Sequence, residues 1–134
     1  MLARIYITYC SWQKDDQLKG TGVCVTPDKL YLSKRIQSFI TRCREKNVEW
    51  AIYSDYCGVW FPEDLHAWYD LHPNNVPEES IFSLSQDFNR SLSKYDEIYY
   101  FFEKMTLHPL YERIVNESGI SSRVHWFEDI NIIV

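Results

Sequence analysis

Residues 3–10, ARIYITYC, set Ile5, Tyr6, Ile7, Thr8 and Tyr9 in unbroken succession. β-Branched and aromatic side chains fit a pleated surface, and a run without polar alternation leaves no face for solvent. Such a strand belongs inside a sheet covered on both sides, the situation of parallel sheets. Three further stretches read the same way: EWAIYS at 49–54, DEIYYFF at 96–102 and RVHWF at 123–127.

Helical patterns separate them. A first helix is predicted from Pro27-Asp28 to about Lys46, with Ile36, Phe39, Ile40 and Cys43 at i, i+3, i+4 and i+7. A second runs from about Pro77 to Leu92, with proline at its start and a stripe of Ile81, Leu84, Phe88 and Leu92. A third spans Pro109 to Ser118, capped by Thr106 or His108 and closed by Gly119. Residues 11–26 and the HPNNVP of 72–77 read as loops, and the tail INIIV as a short strand or a segment along the sheet edge.

The β-α-β-α-β-α-β alternation predicts one α/β domain over residues 1–134. It is a Rossmann-like three-layer sandwich around a mostly parallel, four-stranded sheet of order 2-1-3-4. In such sheets ligands bind beyond the carboxyl ends of the strands, where the strand order reverses. Two segments leave that edge, Cys10–Lys14 and Ser54–His72.

Composition narrows the function classes. The net charge of −5 argues against broad, sequence-independent nucleic-acid binding. The charge is uneven, with nine Lys/Arg against five Asp/Glu in residues 1–50, and five against fourteen in residues 51–134. No run approaches the ~20 apolar residues that span a bilayer, and MLARIYITYCSW lacks a basic region followed by a long apolar run. A cytoplasmic protein without membrane association is expected. The four cysteines form no Cys-x-x-Cys pair and read as free thiols. The spacing of His66, His72, Cys10 and Cys57 matches no common zinc pattern, so neither a metal nor another cofactor is expected.

The segment SDYCGVWFPEDLHAWYDLH, residues 54–72, carries the densest set of candidates. Trp60, Phe61, Trp68 and Tyr69 offer flat faces for stacking a base, or equally for core packing. Asp55 ends the second strand, where a carboxylate can act as base, orient water or bond a nucleobase; Asp70 follows Tyr69. Cys57 becomes a nucleophile only if a neighbouring cation lowers its pKa. On the companion segment Ser11 and Lys14 suit an anionic group, though no glycine-rich phosphate fingerprint is present. His108 sits after the third strand and faces the same edge.

The order and spacing of these motifs resemble a group of small α/β proteins related in pattern to the bacterial peroxide-stress protein YaaA, with related domains near tRNA-guanine transglycosylase-like proteins. The resemblance rests on Cys10-Ser11-x-x-Lys14, Leu30-Tyr31, and Ser54, Gly58, Pro62, Tyr69 and Asp70, and covers about residues 3–72. Cys57 stands where that group has tyrosine, Val59 where it has leucine, and Trp68 where proline is common. The resemblance implies a uracil-DNA-glycosylase-like fold and chemistry linked to nucleobases.

Together these readings give one expectation and two alternatives. The expected activity is binding of, or action on, a nucleobase, nucleotide or nucleic acid, at an N-glycosidic bond. Asp55 and Asp70 are its candidate catalytic residues. Its candidate ligand-binding residues are Cys10, Ser11, Lys14, Ser54, Gly58, Trp60, Trp68, Tyr69 and His108. The alternatives are a non-catalytic nucleic-acid-binding or stress-response protein, and an interaction module whose aromatic segment is buried in a homo-oligomer.

Overall fold

The computed structural model describes residues 2–134. Its main sheet contains β1 (Arg4–Tyr9), β3 (Trp50–Ser54), β4 (Gly58–Trp60), β6 (Glu97–Phe101) and β7 (Val124–Phe127), in the order β4-β3-β1-β6-β7. β1 lies at the centre and pairs in parallel with β3 and with β6, which pairs in parallel with β7. A correction to strand number follows, since β4 adds an antiparallel edge strand to make five. It is three residues long and turns back at Gly58, too short for a hydrophobic period to reveal. A separate two-stranded ribbon pairs β2 (Cys24–Val25), inside a segment that the sequence reads as a loop, with β5 (His66–Ala67), inside the aromatic segment.

The first predicted helix is two helices. α1 (Pro27–Leu30) ends at Tyr31, whose backbone is extended, and α2 (Lys34–Glu45) starts after Ser33. The break places Tyr31 in the core, edge-on to Trp60 at 5.6 Å. It also lets Leu32 N–H bond to Gln13 C=O. Ser33 then restarts the helix, its hydroxyl accepting from Ile36 N–H. Burying a tyrosine outweighs the few tenths of a kcal/mol per residue that uninterrupted helix propensity offers.

α2 lies on one face of the sheet, with Phe39 stacked on Phe101 at 5.9 Å. α3 (Glu78–Leu92) and α4 (Pro109–Glu117) cover the opposite face, where Phe88 and Tyr111 both meet Tyr53 edge-on. Tyr53 and Phe101 sit at alternate positions of the sheet register, which is why they face opposite layers. The two outer helices are tied by Asn89, which donates to Ser118 C=O at 2.8 Å. The tail carries a 3-10 turn over Ile130–Ile132, and Ile133 is buried with its carbonyl held by Arg42. Among the described residues no helix is long and apolar enough to cross a membrane.

Candidate functional site

At the carboxyl ends of β1 and β3 the loops enclose a cavity of about 590 Å³, within the size range of small-molecule sites. β1 delivers Tyr9 and, just beyond its end, Cys10, Ser11, Trp12 and Lys14; β3 leads into Asp55. The segment after β5 adds Trp68 to Pro73, and the start of α4 adds His108 and Tyr111. Of the residues singled out in the sequence, Cys10, Ser11, Lys14, Asp55, Trp68, Tyr69, Asp70 and His108 meet here.

Three do not line the cavity. Trp60 is fully buried, its indole N–H donating to Asp64 C=O at 2.8 Å, so it packs in the core and offers no stacking face. Gly58 forms the β3–β4 turn against Asp87. Ser54 lies beneath the floor. Its hydroxyl accepts from the backbone N–H of Tyr56 and Cys57 and donates to the Tyr69 hydroxyl at 3.0 Å. These three corrections share a cause, because β4 folds back across β3 and draws that stretch of the aromatic segment inside.

Asp55 is the most unusual group. It is only 4% exposed, and the Cys10 thiol donates to its Oδ1 at 3.5 Å. Burial raises its pKa against the opposing pull of the thiol, Lys14 and His72. The Tyr111 hydroxyl lies 3.2 Å from the Cys10 sulfur. Burial, reinforced by the charge of Asp55, pushes the Cys10 thiol up to about 11. Cys57 is likewise pushed up to about 11 by burial. Both remain thiols at neutral pH, so neither is an activated nucleophile.

The phenols add a second layer. Tyr69 shares a short hydrogen bond with Tyr31, and burial raises both well above the ordinary tyrosine range. The Lys14 ammonium lies 4.4 Å from the centre of the Tyr69 ring, and Tyr56 stacks on that ring at 4.9 Å. Trp12 stands at the cavity wall 82% exposed, an unusual position for the largest apolar side chain.

Arg35, His72 and Tyr111 also line the cavity, although none was among the candidates. Arg35 is buried and donates to Thr8 Oγ1 at 2.7 Å, to Tyr9 C=O at 2.9 Å and to Cys10 C=O at 3.1 Å, fixing the end of β1. Its signal was an arginine on the apolar face of α2, next to Ile36 and four residues before Phe39. His72 and His108 each precede a proline, and each caps a helical turn through Nδ1, which accepts from the amide two residues on. The repeated His-Pro pair was legible, but the meeting of the two rings, 6.3 Å apart, was not. His108 Nε2 bonds Asn74 Oδ1 at 2.6 Å. Burial holds its pKa below the ordinary histidine value, with His72 adding to the effect.

The fold and cavity define a mixed α/β protein with a candidate small-molecule site on the carboxyl edge of its parallel strands. No protein family, curated protein or solved structure matches the chain.

Proposed function

We propose that this cavity binds a nucleobase-containing molecule and acts at its N-glycosidic bond. The observation that carries this reading is Asp55, a buried carboxylate of raised pKa at a cavity walled by aromatic rings and a lysine. Ser11 and Lys14 hold an anionic group of the ligand. Trp68 supplies a stacking face, worth about 1–3 kcal/mol per base. Asp55 takes a proton from water as the water oxygen bonds to the sugar carbon. The carbon–nitrogen bond breaks with its electron pair passing to the base, which then takes up a proton. His72 Nδ1 accepts from Asn74 N–H, which leaves Nε2 as the ring position that can donate to the departing base. A raised pKa makes Asp55 a stronger base than an ordinary carboxylate.

The test is base release from nucleosides, nucleotides and oligonucleotides. Asp55→Asn is expected to lower the rate by roughly 10²–10⁴-fold, the usual contribution of a general base. Asp70 is exposed at the rim, so Asp70→Asn is expected to change the rate far less. If the parent protein releases no base from any substrate, the glycosidic reading is wrong.

A second reading is binding without catalysis, and exposed Trp12 beside Ser11 and Lys14 favours it. Titration with single- and double-stranded DNA and RNA at two salt concentrations tests it. Negligible affinity at low salt rules it out.

A further inference from the structure

We propose that Cys10 is a positioning residue that sets the proton affinity of Asp55, a thiol being kept there because it is a weaker hydrogen-bond donor than a hydroxyl. The inference rests on Asp55 being the working carboxylate of the proposed function, but its primary test does not need turnover.

The geometry argues as follows. Asp55 is buried at the end of β3, and among the described residues the thiol of Cys10 is the one side-chain group that hydrogen-bonds it. A carboxylate that accepts two or three backbone N–H donors becomes a very weak base. Here the one side-chain donor is S–H at 3.5 Å, the weak member of the side-chain inventory, beside the residue's own backbone N–H. With its proton directed at Asp55, the sulfur accepts from the Tyr111 hydroxyl at 3.2 Å. The Tyr111 hydroxyl thus bonds the sulfur and makes no hydrogen bond to the carboxylate. A hydroxyl at position 10 would bond Asp55 in a short, charge-assisted contact, about twice as strong as a neutral one.

Other groups act on Asp55 from every side. Lys14, beyond β1, and His72, after β5, favour its charged form. Cys57, Tyr53, Tyr69 and Tyr111 interact electrostatically with it from the β3 turn, β3, the cavity wall and α4. At neutral pH the phenols and the thiol are uncharged, so Lys14 is the permanent charge among these partners. Its pull on Asp55 is common to the parent and to any Cys10 variant, so it drops out of their difference.

The experiment is carboxyl-detected NMR titration of Asp55 in the full chain, comparing the parent with Cys10→Ser and Cys10→Ala. Cys10→Ser is expected to move the Asp55 midpoint down by about one pH unit, a tenfold loss of proton affinity. The shorter C–O bond draws the carboxylate toward β1, a shift that its open cavity side allows. Cys10→Ala removes the donor and is expected to move the midpoint up. Opposite signs for two small substitutions at one site separate donor strength from a packing defect. An unchanged midpoint in both variants, or a shift of the same sign in both, overturns the inference. In turnover, the acid limb of the base-release profile moves with the Asp55 midpoint. Expected midpoints in a protein that releases no base leave the Cys10 role standing and remove the glycosidic reading. Base release with midpoints that ignore position 10 does the reverse.

Discussion

Replacing Gly58 by alanine tests the claim that this residue belongs to the architecture and not to the ligand. Gly58 has φ +79°, and a methyl built on its Cα collides with Asp87 Oδ2 and meets Asp87 Cγ at 2.7 Å. The left-handed backbone costs an alanine about 1–2 kcal/mol. The contact with Asp87 cannot be tolerated, so that side chain must swing away. Asp87 Oδ2 now accepts from Val59 N–H at 2.8 Å, in the middle of β4. Stranding that partly buried donor costs about 1–3 kcal/mol more. The total is about 2–5 kcal/mol, a large share of the stability of a small domain. Urea denaturation is the assay, read as a lower midpoint at constant slope. Asp87→Ala clears the space, so Gly58→Ala should cost much less in that background, with a coupling of at least about 1 kcal/mol. A loss below about 1 kcal/mol, or additivity of the two changes, refutes the reasoning. Weakened ligand binding in a Gly58→Ala protein of unchanged stability refutes it as well.

Asp55→Asn is expected to stabilise the protein at neutral pH. The pKa of Asp55 is raised by folding, so between its unfolded and folded values the native state binds the extra proton and stability falls as pH rises. The variant lacks this penalty, so its urea midpoint should exceed the parent's above the window and match it near pH 3, below the ordinary aspartate pKa; equal midpoints throughout contradict the assignment. Arg35→Lys is expected to cost about 2–4 kcal/mol, because one ammonium cannot reproduce the fork that bonds Thr8, Tyr9 and Cys10; a loss under 0.5 kcal/mol in the same assay would show that those bonds add little.

Legibility in the sequence followed length and periodicity. β1, β3, β6 and β7 announced themselves because each is a run of β-branched and aromatic residues between helical patterns. α3 was visible from four apolar positions spaced along one face. The two-residue strands β2 and β5 have no period to detect, and they form only because the chain brings Cys24–Val25 beside His66–Ala67. The split between α1 and α2 was hidden for a different reason. Nothing local forbids a helix through Tyr31; the competing gain is tertiary, through Trp60 and Tyr69.

The site was legible in membership but not in role. Aromatic and acidic residues beyond two adjacent parallel strands had to meet, so Cys10, Lys14, Asp55 and Tyr69 could be named together. What each does depends on depth, which sequence spacing does not encode. Trp60 and Trp68 stand eight residues apart in one aromatic segment, yet β4 takes the first into the core and leaves the second on the cavity wall. Asp55 and Asp70 are likewise indistinguishable as letters. One follows a buried strand, where burial raises its pKa, and the other follows the last buried ring of its loop and stays in solvent. That difference in depth separates a buried carboxylate from a rim charge. It also bears on the proposed role of the thiol at position 10: beside a solvated carboxylate a weak donor is replaced by water, whereas Asp55 is buried and the thiol is its one side-chain donor among the described residues.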